Sequence, residues 1–125
     1  VHRQPETDLF QASHALGLGV VTWSPLGGGM LTGKHRQGEK GRAEGFGGKV
    51  FQPENSAQRT LILDTVLDIA AELGVSASQV AIAWAGTHGA IPIIGPRSQE
   101  QIGDNLGDLA LTLADEQIQR LDAVS

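Results

Sequence analysis

Apolar residues recur at helical spacing over 56–73, where Leu61, Val66, Ile69 and Leu73 fall on one side and Gly74 supplies the stop. Ser76 followed by Gln79 is a capping-box pattern and predicts a second helix over 77–85. A rougher stripe, Leu9, Phe10 and residues 12–16, predicts an opening helix that begins at Gln4-Pro5-Glu6 and ends at Gly17. Proline suits the first helical position and an acid the first turn. Ser98 can cap a helix running through 105, and Leu113, Ile118, Leu121 and Val124 line one side of a last helix over 114–124. Two short runs differ in kind. Residues 19–23 and 90–94 are apolar and rich in β-branched side chains, as buried parallel strands are. Each is broken at once, the first by Ser-Pro-Leu-Gly-Gly-Gly at 24–29 and the second by Gly-Pro-Arg at 95–97. Over 34–55 no period emerges, and a loop of that length is usually functional or disordered.

Strands alternating with helices imply parallel βα units. Two strands are too few for a free-standing parallel sheet covered on both faces, so the pattern predicts a piece of a larger α/β fold. The 125 residues are enough for one small domain, here a partial one over 1–125. Cysteine is absent, which excludes a disulfide framework, a thiolate metal site and a Cys nucleophile. The net charge of −5, with both signs spread along the chain, argues against nucleic acid or a membrane as partner. No apolar stretch reaches the ~20 residues of a membrane span, and the first residues carry no leader pattern. The expectation is a cytoplasmic protein.

Both breaks carry candidate chemistry, because ligands of parallel α/β folds gather at the C-terminal ends of strands. After the first run, glycines let backbone N–H groups approach a phosphate, Ser24 and Lys34 add polar contacts, and Trp23 offers a face for stacking. The same residues also fit a plain glycine-rich connection with Trp23 in the core. After the second run, a helix N-terminus presents free N–H groups to an anion and Arg97 adds a planar cation. Gln101, Asp104 and Asn105 stand at +3 and +4 spacing and share a helix face. An ordinary capped, solvated helix start accounts for them equally.

Trp-Ser-Pro-Leu-Gly-Gly-Gly-Met-Leu-Thr-Gly-Lys at 23–34 resembles the loop after the seventh strand of aldo-keto reductases, and Ile93-Ile94-Gly95-Pro96-Arg97-Ser98 with Gln101 and Asp104-Asn105 is similar to their segment after the eighth. Residues 17–21 and 111–122 also look familial, and the likeness is nearest to the bacterial branch related to potassium-channel β subunits. The resemblance implies an α/β fold, a C-terminal fragment of a (β/α)8 TIM barrel comprising the end of unit 6 plus units 7 and 8, that binds NADP(H). It implies that Trp23 stacks on the nicotinamide and that Ser24, Leu26, Gly27 and Gly29 line the pyrophosphate beneath Lys34. Gly95, Arg97 and Gln101 would surround the 2′-phosphate and Asp104 and Asn105 the adenine, with Arg42 closing over the cofactor from the long loop. The implied reaction is hydride transfer between NADPH and a small aldehyde or ketone. The alternative is a non-catalytic nucleotide-binding subunit of a channel.

The family's catalytic Asp, Tyr, Lys and His come from the first half of the barrel, and this chain has no tyrosine. No catalytic or metal-binding residue is therefore assigned. His2, His14, His35 and His88 show no paired spacing and read as surface or loop residues, and Asp64, Asp68 and Glu72 read as a solvated helix face. Ala114 stands where the family usually has a capping Ser or Thr, a loss of about 1 kcal/mol to the last helix.

Overall fold

The computed structural model describes residues 3–37 and 53–125. In chain order the elements are α1 (Gln4–Thr7), α2 (Leu9–Ala15), β1 (Val20–Trp23), 3-10 turns at Gly27–Thr32 and Lys34–Gln37, α3 (Ala57–Leu73), α4 (Ala77–Thr87), β2 (Ala90–Ile93), α5 (Gln99–Leu106), a 3-10 turn at Gly107–Ala110 and α6 (Asp115–Val124). Arg42 lies outside the described residues, as does most of the aperiodic stretch.

Local chemistry sets the helix ends. The Ser56 hydroxyl accepts from the Arg59 N–H at 3.3 Å and starts α3. Gly74, at φ 66°, stops it: Gly74 N–H donates to Ala71 and Val75 N–H to Ala70, the paired bonds of a left-handed helix stop. The chain turns at once into α4, whose axis is bent 105° from that of α3. Ser76 and Gln79 cap α4 reciprocally, as their spacing predicts. Gly17 closes α2 by the same means as Gly74 closes α3, with Gly17 N–H on His14 and Leu18 N–H on Ser13.

The core lies among α3, α4 and α6. Ile62, Val66, Ile69, Ala70, Val80, Ala81 and Leu121 are buried together, and Met30 and Leu31 of the first 3-10 turn are buried with them. The loop after β1 is thus anchored in the core through two side chains. β1 and β2 pair in parallel, Val20 with Ala90 through Trp23 with Ile93, and α4 packs on β2.

Two expectations need correction. The opening helix is not continuous, because Asp8 breaks it into α1 and α2. The Thr7 hydroxyl takes the Gln4 carbonyl at 2.9 Å, and such back-bonding bends helices. Arg3 meanwhile holds the first turn elsewhere: it grips Glu6 (2.7 and 2.9 Å), reaches Asp122 of α6 at 3.2 Å and lies 5.5 Å from the Trp84 ring centroid. The strands, for their part, are not buried on both faces. Val21, Trp23, Ile91 and Ile93 share one face and are 57%, 70%, 65% and 54% exposed. Alternation sends every second side chain to that face, and no described element covers it.

Two outcomes follow from this packing. Ile69, fully buried, should cost about 2–5 kcal/mol when changed to Ala, read from urea denaturation of the chain. The Arg3 guanidinium holds the Glu6 carboxyl below its ordinary range. A lowered folded value means the pairing contributes above the unfolded value and is lost as pH falls through the folded one. Acidification below pH 4.5 should therefore release α1 before the α3–α4–α6 core melts, seen as early loss of amide protection over Gln4–Thr7.

Candidate functional site

Parallel pairing with Trp23 opposite Ile93 makes both strands end side by side, so the loops that follow leave from one end of the sheet. Neighbouring strands lie about 4.8 Å apart. Ser24 and Ile94, the residues that begin the two loops, are therefore neighbours although seventy positions separate them (94 − 24).

The first loop is wound through left-handed backbone. Gly27, Gly28 and Gly29 have φ of 57°, 68° and 100°, and Ser24, at 56°, is the one non-glycine with positive φ among the described residues. Such a conformation draws backbone close to whatever lies above it. Part of its donor set is already engaged: Gly27 N–H donates to the Ser24 carbonyl and Gly29 N–H to that of Leu26, both at 2.9 Å. The Leu26 side chain packs against the core. Thr32 closes the turn by donating to the Gly29 carbonyl at 2.7 Å. The Lys34 side chain folds back across Gly29, where a Cβ would lie 3.2 Å from its Cε and 3.6 Å from its ammonium. His35 stands beside it, 3.4 Å from the same point, and its Nε2 is buried without a hydrogen-bond partner. The missing side chain at 29 thus admits the Lys34 stem and the His35 ring against the loop backbone.

The second loop, Gly95-Pro96-Arg97, leads into α5. Ser98 caps it by accepting from Gln101 N–H at 3.2 Å, and the Gln101 side chain turns back to accept from Arg97 N–H at 2.8 Å. Gln101 therefore orders the backbone that presents Arg97, and the Arg97 guanidinium is exposed. Asp104 and Asn105 are one turn on and differ from Gln101 in burial. Asn105 is 5% exposed, and the Asp104 carboxylate accepts from the Ser76 hydroxyl at 3.0 Å. Gln101 is thus exposed, Asp104 half-buried and Asn105 buried, so three residues on one stripe meet three environments.

A cavity of about 610 Å³ runs along β1 between the strand and α1–α2. It borders Trp23, Ser24 and Gly27 but does not reach Gly95, Arg97 or Gln101. Two surface readings are refined. Asp64 and Glu72 stay on a solvated face of α3, about half exposed, and there pair with Arg36 and Arg120 at 2.6 and 2.8 Å. His88 is half-buried, with its two ring nitrogens 3.0 Å from the Trp84 carbonyl and from Asp122 Oδ1.

The sequence profile of the Aldo/keto reductase family matches residues 1–125. The chain belongs to that family. It is 32% identical over 99% of its length to an uncharacterized oxidoreductase, YrpG, of Bacillus subtilis (strain 168), covering 37% of that protein. A probable voltage-gated potassium channel subunit beta of Oryza sativa subsp. japonica is 34% identical over 95% of the chain, which covers 39% of it. Aldo-keto reductase AMT2 of Alternaria alternata is 30% identical over 98%, with 33% of that protein covered. Among solved structures, the thermostable aldo-keto reductase Tm1743 with the inhibitor epalrestat superposes with a TM-score of 0.67 at 21% identity, over 99% of this chain and 36% of that one. The fold is thus part of an aldo-keto reductase barrel, and the chain spans between a third and two-fifths of the length of its relatives. A partial barrel explains the bare sheet face, since in the closed barrel inward side chains are covered by those of other strands.

The left-handed loop gives a direct expectation. Ala at position 29 would need φ near 100° and would press on the Lys34 stem, so Gly29→Ala should destabilise the chain by at least about 1 kcal/mol. Gly19→Ala, with nothing within 4 Å and no positive φ, is the control and should stay within about 0.5 kcal/mol in the same denaturation series.

Proposed function

We propose that these residues form the cofactor-binding part of a cytoplasmic NADP(H)-dependent reductase acting on a small aldehyde or ketone. One observation carries the reading: two loops leave adjacent parallel strands at the same end, one bringing Lys34 back across Gly29 and the other Arg97 ahead of a capped helix. A dinucleotide with an extra phosphate needs two separate anion sites, and this arrangement supplies a cation for each. The residues fit such a group in their donor chemistry. The exposed Trp23 ring provides a face for the nicotinamide, and Ser24, Gly27, Gly29 and Lys34 provide the pyrophosphate side. Gly95, Arg97 and Gln101 flank the 2′-phosphate, with Asp104 and Asn105 toward the adenine. Bound NADPH supplies the hydride. The chain's own part is to bind and orient, because a carbonyl reduced by hydride also needs a proton and no tyrosine is present to give one.

A second reading has its own support in the 34% identity to a probable potassium channel subunit beta. Both readings use the same nucleotide site and differ in whether a proton donor stands opposite it. We place neither nucleic acid nor membrane among the direct partners.

The test is calorimetric binding of NADPH and NADH to the purified chain. NADPH should bind saturably, and Arg97→Ala should weaken it at least tenfold while changing NADH far less, since a phosphate loses a charge-assisted pair. Equal loss for both nucleotides would remove Arg97 from the 2′-phosphate. The purified chain should show no NADPH-dependent carbonyl reduction, and turnover by a homogeneous preparation would contradict the assignment of the proton donor to residues outside it.

A further inference from the structure

The capping box of α4 does more than cap. Ser76 Oγ accepts from Gln79 N–H at 3.2 Å and also donates to Asp104 Oδ2 at 3.0 Å. The Gln79 carboxamide accepts from Ser76 N–H at 3.4 Å and donates through Nε2 to the Asp104 backbone carbonyl at 2.8 Å. Two residues at the start of one helix therefore hold both the side chain and the backbone of a residue in the last turn of another. Position 107 is shaped around this contact: a Cβ on Gly107 would lie 2.1 Å from Gln79 Nε2 and 2.9 Å from its Cδ. The backbone there is ordinary right-handed helix, so a side chain at 107 would displace the Gln79 carboxamide without straining φ. Among the described residues the second carboxylate oxygen of Asp104 has no partner.

We infer that Ser76 and Gln79 are positioning residues for purine recognition, fixing α5 so that Asp104 offers its remaining oxygen to the amino group of a 6-aminopurine. The inference rests on the cofactor reading above and deepens it. Ser76 occupies one oxygen and sets the carboxylate plane. Gln79 fixes where that plane sits. A 6-oxopurine presents an acceptor at the same place and would face the carboxylate lone pairs.

The test compares dissociation constants of the chain for NADPH and for its hypoxanthine counterpart. The unaltered chain should favour NADPH about tenfold, the factor associated with one hydrogen bond to a charged group. Gln79→Ala should bring the ratio close to one. Gly107→Ala should do the same without touching Gln79, by displacing its carboxamide, and the double variant should be no worse than either. Ser56→Ala, which removes a cap of similar worth from α3 and touches nothing on α5, should leave the ratio unchanged. A purely structural role would weaken both nucleotides equally and leave the ratio intact in Gln79→Ala, and that result would overturn the inference while sparing the cofactor site. A folded chain that binds neither nucleotide would overturn the cofactor reading and the inference with it.

Discussion

The parallel pairing of β1 with β2 is the contact on which the rest depends. Its register, Trp23 opposite Ile93, decides that two loops distant in sequence emerge together. A shift by one residue would move every strand side chain to the opposite face and carry Trp23 toward the helices. The register is held from outside the sheet. α4 packs on β2, and the loop after β1 is pinned by Met30 and Leu31 in the core formed by α3, α4 and α6. The helices therefore do for the site what a complete sheet would otherwise do: they keep two strand ends at a fixed spacing.

The same pairing accounts for what is left uncovered. Two strands give one face to α4 and leave the other, with Val21, Trp23, Ile91 and Ile93, turned outward. β1 has only β2 beside it among the described residues, and its other edge borders the 610 Å³ gap to α1 and α2. In the barrel of its relatives the outward face becomes the interior and further strands occupy the edge. Trp23, the last residue of β1, then stands at the C-terminal end of the barrel strands.

Much of this was legible in the residues. Helical spacing and Gly74 defined α3, the Ser76–Gln79 pair announced α4, and short β-branched runs followed by breakers marked both strands. What sequence could not convey was the outcome of competition between local and distant partners. Thr7 and Arg3 break the opening helix through one back-bond and one reach to α6, neither visible in a periodicity. Gln101 and Asp104 lie on one helix face by spacing, but one orders its own N-terminus and the other is held by α4. The double use of Ser76 and Gln79 has no sequence signature, because a capping box looks the same whether or not a second helix lies against it.

The proposed function requires the loops at 24–34 and 95–105 to form one site. Amide hydrogen exchange of the chain, with and without saturating NADPH, tests it most directly. Exchange is expected to slow in both segments together, with the exposed face of β1 and β2 slowed less and α6 unchanged. Protection confined to one segment, or spread evenly over the α3–α4–α6 core, would contradict it.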